Sequence, residues 1–114
     1  MRTGLASTST LVDVPDAKSL PLRLAPAQPN PARRVARLDY GVAADEVGRT
    51  LEIAVFDLGG RRLRVLASGA ALPGRASATW DLRDAAGDPV RAGVYFARLT
   101  LAGRSETQRF VVLP

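Results

Sequence analysis

From residue 20 onward, apolar and polar residues alternate in short runs separated by turn formers. Leu51, Ile53 and Val55 alternate with Glu52 and Ala54, the period-2 pattern of a half-buried strand. Leu63 and Val65 alternate with Arg62 and Arg64, and Ala76, Ala78 and Trp80 alternate with Ser77, Thr79 and Asp81. Runs at 35–42, 94–101 and 106–113 complete the pattern, with Val35, Leu38 and Tyr40 as the large apolar groups of the first. An earlier run at Leu22-Arg23-Leu24 is cut off by Pro26, Pro29 and Pro31, which suits an edge strand ending in a rigid corner.

The breaks fall where turns are chemically favoured. Asp57-Leu58-Gly59-Gly60 holds two glycines, residues able to take the positive φ of a hairpin. Pro73-Gly74, the stretch 84–89 and Gly103-Arg104 mark further turns, and 43–48 reads as a polar loop. Seven strands in the stretch 20–114, with no sustained helical period, predict an all-β antiparallel sandwich or barrel. Residues 1–19 are rich in Ser, Thr, Ala and Asp and keep neither period, so they read as a flexible linker or tail. Arg2 is not followed by an apolar stretch of signal-peptide type, because Thr8, Ser9, Thr10 and Asp13 interrupt it. An exported protein would then carry its signal upstream, in a longer parent chain.

Composition narrows the chemistry. With neither Cys nor His, the chain offers no disulfide and no nitrogen- or sulfur-ligated zinc, copper or haem site. It also lacks a Ser-His-Asp or Cys-His nucleophile, and its single lysine, Lys18, lies in the tail. No enzymatic activity and no cofactor are expected. The formal charge is +5, and the basic residues are almost all arginine. Two clusters, Arg33, Arg34 and Arg37 and then Arg61, Arg62 and Arg64, alternate with apolar residues as outward strand positions do. Neither is interleaved with exposed aromatics, so no nucleic-acid partner is expected. No run approaches the roughly 20 apolar residues of a membrane span, so no membrane insertion is expected.

Several short motifs occur in order along the chain: Pro29-Asn30-Pro31, Phe56-Asp57 with Gly60-Arg61, Leu72-Pro73-Gly74, Trp80-Asp81, Asp84 to Gly87, and Ala92-Gly93-Val94-Tyr95-Phe96. The chain closes on Arg109-Phe110-Val111-Val112-Leu113. This ordered set resembles the immunoglobulin-like domain of the flagellar hook-capping protein FlgD and the type A C-terminal sorting domains of the type IX, or Por, secretion system. The resemblance implies an immunoglobulin-like antiparallel β-sandwich of about seven strands over 20–114. It also implies a non-catalytic C-terminal module of a larger secreted or cell-surface protein. Its partners would be the secretion or attachment machinery and the parent's upstream domains, with 109–113 as the terminal sorting strand. The alternatives are a structural assembly or spacer domain, as in the hook-capping protein, and a carbohydrate-binding sandwich. The chain departs from the pattern at Ala32-Arg33-Arg34, where a longer Pro-Asn-Pro-Phe-Asn-Pro stretch is common, and in ending with one basic residue, Arg109.

Individual residues carry their own expectations. Trp80 has an inward phase and precedes a turn, which favours the core over ligand stacking. Tyr95 and Phe96 are adjacent and so point to opposite faces, one of them into the core. Gly60 and Gly93 are expected to serve backbone geometry. Asp81, Asp84 and Asp88 share one loop and are the candidate Ca²⁺ ligands, although Asx turns account for the same residues. A last strand at a sheet edge would also offer unpaired amides and carbonyls to a partner.

Overall fold

The structure, a computed structural model, describes residues 23–114. The expected tail over 1–19, with Lys18, and Leu22 of the first expected strand lie outside the described residues. Six strands follow in chain order: β1 (Ala36–Val42), β2 (Thr50–Asp57), β3 (Arg62–Ala70), β4 (Gly74–Trp80), β5 (Gly93–Leu101) and β6 (Arg104–Val112). All ladders are antiparallel, in a two-stranded sheet β1–β4 and a four-stranded sheet β3–β2–β5–β6. Residues 23–28 run antiparallel along the free side of β1, with Leu24 bridged to Tyr40 and Gln28 to Arg37, and serve as the seventh strand. The chain is an antiparallel β-sandwich, as its alternation predicts.

The two sheets bury their facing residues against each other. Ala36, Leu38, Ala78 and Trp80 come from the smaller sheet; Leu51, Ile53, Val55, Tyr95, Leu99, Leu101, Phe110 and Val112 come from the larger. Leu24, Ala27 and Ala32 close the side between them. Trp80 is fully buried and meets Tyr95 and Phe110 edge-on, with centroids at 5.5 and 5.9 Å. Each buried polar tip finds a carbonyl, as the low-dielectric interior demands. The Trp80 indole donates to Arg83 O at 2.8 Å, and the Tyr95 hydroxyl donates to Arg91 O. Burial, with the Asp57 carboxylate nearby, pushes the Tyr95 hydroxyl above its ordinary pKa, so it stays a neutral donor.

Three details differ from the sequence pattern. Val35 precedes β1 and is exposed, so Ala36 and Leu38 fill that position in the core. Val65 does not share the inward face of Leu63: it is 40% exposed. The cause is a pair of register shifts against β2, which leave Leu66 and Leu63 as extra residues on β3 and reverse its phase twice. The last hairpin turns on Ala102-Gly103, one residue before the expected Gly103-Arg104, because Leu101 pairs with Arg104. Both turn residues have positive φ, 54° at Ala102 and 81° at Gly103, as a two-residue turn between right-twisted strands requires. Alanine is strained there, so Ala102→Asn is expected to raise stability by about 0.5–1 kcal/mol. A rise in the urea midpoint at unchanged slope would show it; a fall would mean the turn carries no such strain.

Candidate interaction surface

The Pro-Asn-Pro corner and the terminal strand form one unit. Asn30 Oδ1 accepts from Val111 N at 3.0 Å, and Ala32 bridges Val112 in parallel. Ala32 N donates to Val111 O at 2.8 Å, and Leu113 N donates to Ala32 O at 2.7 Å. Motifs 81 residues apart thus meet. The expected open edge of the last strand is closed here, since the backbone groups of Val111 and Leu113 that would receive a partner strand already hold 30–32. Along the same edge, the amides and carbonyls of Thr107 and Arg109 face outward with no backbone partner among the described residues. Of the terminal motif, Phe110 and Val112 are core, Arg109 is exposed, and Val111 and Leu113 are half-buried.

The aspartates of the β4–β5 connection do not converge. Asp81 accepts from Arg64 at 2.8 Å and from the Arg83 amide at 3.1 Å. Desolvation acts to raise its carboxyl pKa, the two hydrogen bonds outweigh it, and the net direction is downward. Asp84 Oδ1 accepts the amides of Ala86 and Asp88, both at 3.0 Å, so it shapes its own loop as an Asx turn. Among the described residues no three acidic side chains come together as a metal-binding group. Gly60 and Gly93 have φ of 90° and 154° with open space where a Cβ would stand, so backbone conformation is what calls for glycine there. Asp57, from the same motif as Gly60 and Arg61, accepts the Arg61 amide at 2.9 Å and locks that turn.

The arginine clusters are largely matched with acids. Arg61, Arg62 and Arg64 face Asp57, Glu52 and Asp81, and Arg37 faces Asp39. A different basic group assembles on the outer face of the larger sheet. There Phe56 of β2 stands directly opposite Phe96 of β5, and Phe96 stands opposite Arg109 of β6. The Arg98 guanidinium lies over the Phe56 ring, 4.3 Å from its centroid. Val94 and Val111 pair on the same face. Leu58, in the β2–β3 turn, is 71% exposed at its rim.

No protein-family model and no curated protein matches this chain. Solved structures do. PorZ, an essential bacterial surface component of the type IX secretion system of Porphyromonas gingivalis, is similar over 80% of this chain at 23% identity and a TM-score of 0.52. Dimeric latent PorU of the same organism is similar over 80% at 18% identity and a TM-score of 0.64. The sensor domain of the anti-sigma factor RsgI4 of Pseudobacteroides cellulosolvens is similar over 80% at 20% identity and a TM-score of 0.55. This chain spans 11% of the PorZ chain, 9% of the PorU chain and 91% of the RsgI4 sensor domain. At such identities the likeness is one of fold.

Two features escaped the sequence. Three of the six aromatics, Trp80, Tyr95 and Phe110, are buried core, but Phe56 and Phe96 sit on the outer face and Tyr40 is only partly buried. A signal for both outer rings existed, because Leu51, Ile53 and Val55 inward put Phe56 outward, and Tyr95 inward does the same for Phe96. Their alignment across strands had none. The second feature is Glu46, in a single 3-10 turn (Ala44–Glu46) within the stretch expected to be a polar loop. It is only 4% exposed and accepts from Arg23, from Arg104 at 2.9 Å and from the Ala43 amide at 3.2 Å. Arg23 also approaches Glu106, whose Oε1 accepts the amides of Arg23 and Leu24 at 2.8 and 3.0 Å. These contacts tie three segments together at one end of the sandwich: the leading segment, the β1–β2 loop and the β5–β6 hairpin.

Proposed function

We propose that this chain is a non-catalytic module that directs or attaches a larger secreted or cell-surface protein through protein–protein contact, in the manner of a type IX sorting domain. The observation that carries the reading is the recurrence of this sandwich as a small part, 11%, of a surface component of the type IX system. The ordered motifs Pro29-Asn30-Pro31, Trp80-Asp81 and Gly93-Val94-Tyr95-Phe96 add to it. Chemistry agrees: with no His or Cys there is no imidazole base and no thiolate.

The test is delivery. The full chain is joined behind a signal peptide and a fluorescent reporter and expressed in a host with the type IX apparatus and in a derivative lacking it. Reporter on the surface or in the medium is expected only where both module and apparatus are present. Intact, folded fusion held in the periplasm of the complete host would overturn the sorting role. A structural spacer would then be the better account.

A further inference from the structure

We propose that the outer face of the β3–β2–β5–β6 sheet is the contact surface itself, and that it docks an acidic polypeptide segment carrying an aromatic or aliphatic anchor residue. The proposal deepens the protein-contact reading and rests on it.

Three observations converge. The first is apolar surface where a sandwich's solvent face normally carries polar residues. Phe56 and Phe96 pair directly across β2 and β5, Val94 and Val111 pair across β5 and β6, and Leu58 projects beside the rings. The second is shape. Phe56, Asp57, Leu58, Phe96, Arg98 and Thr107 line a shallow depression of about 350 Å³. That lies at the low end of ligand-pocket volumes and suits an inserted side chain.

The third is charge. Arg62, Arg98 and Arg109 share the face, and the two carboxylates that border it are already matched: Arg62 holds Glu52 at 2.8 Å and Arg61 holds Asp57 at 3.6 Å. Arg98 and Arg109 make no ion pair among the described residues. A guanidinium stacked on a ring, as Arg98 is on Phe56, keeps its edge donors for a carboxylate, and that fork geometry favours two-point recognition. Buried aromatic and arginine anchors are what protein interfaces draw most energy from. A nucleic acid suits the face less well. Two unmatched cations release few counterions, which is little for a phosphate backbone.

The experiment titrates the full chain against a fluorescently labelled peptide with one Phe among Asp and Glu residues, and against its Asn/Gln counterpart. The acidic peptide is expected to bind about tenfold tighter or more, and added salt should weaken it. Arg98→Ser and Phe96→Ser should each lower affinity by about tenfold. Arg75→Ser, on the exposed part of the smaller sheet, should leave it unchanged, and circular dichroism verifies folding of each variant. Equal binding of both peptides, affinity unmoved by Arg98→Ser, or equal competition by a single-stranded oligonucleotide would each overturn the proposal. The same variants in the reporter fusion separate the two readings. Normal delivery of every variant removes this face and keeps the sorting role. Peptide binding without delivery of the unsubstituted fusion keeps the face and removes that role.

Discussion

Trp80→Ala is expected to cost about 3–5 kcal/mol, a large share of the roughly 5–15 kcal/mol that holds a domain folded. The indole is fully buried and touches both sheets: it belongs to β4, and its two edge-on partners, Tyr95 and Phe110, belong to β5 and β6. Truncation removes the largest apolar surface in the core and opens a cavity between layers joined by no disulfide, since the chain has no cysteine. It also takes the 2.8 Å indole donor from Arg83 O, which keeps only the longer contact from the Arg64 guanidinium at 3.4 Å. Trp80→Phe separates these losses, because it keeps a ring in the site and loses the Nε1–H donor. Its cost should be smaller, about 1–3 kcal/mol. Urea unfolding followed by circular dichroism reads both, since the substitutions remove the only tryptophan. A loss below about 1 kcal/mol for Trp80→Ala would show that the sheets hold together without this anchor.

Glu46→Gln is the second large expectation, about 2 kcal/mol at neutral pH. Burial works to raise the Glu46 carboxyl; the hydrogen bonds from Arg23, Arg104 and the Ala43 amide outweigh it and hold the pKa below its ordinary value of 4.5. A carboxyl depressed in the folded state contributes stability above its unfolded pKa and loses it as pH falls through the folded one. The contribution should therefore be intact at neutral pH and shrink once the solution drops below about pH 4.5. Glutamine cannot take the charged form, so the stability gap between wild type and Glu46→Gln should narrow in that acid range. Urea titrations at about pH 7 and about pH 3 measure it, and a gap of constant size would mean the carboxylate's charge contributes nothing.

These two sites mark the boundary between local pattern and assembly. The inward phase of Leu51, Ile53 and Val55, the turn at Gly59-Gly60 and the core position of Trp80 were legible because they follow from side-chain alternation and backbone torsion. Both act within a few residues. The same locality explains the errors. Nothing in Arg62-Leu63-Arg64-Val65 announces two bulges, since a bulge is defined by the partner strand as much as by its own residues. Glu46 read as one residue of a polar loop because its burial depends on Arg23 and Arg104, which come from segments 23 and 58 residues away.

The candidate surface divides in the same way. Alternation alone predicted that one of Tyr95 and Phe96 would face outward, and the motifs pointed to both ends of the chain. Only cross-strand register set Phe56 beside Phe96 and brought Arg98 and Arg109 to the same patch. Likewise, only the tertiary fold laid 30–32 along Val111 and Leu113 and closed that end of the edge which the sequence left open. By itself, then, the sequence determined the strand content, the inward phase of β2 and of Trp80, and the absence of thiol and imidazole chemistry, all properties of residues or near neighbours. The tertiary structure decided which strands are adjacent, which edges are covered and which charges are paired. Those depend on contacts between distant segments, whose pairing is selected by burying both sheets' apolar faces at once.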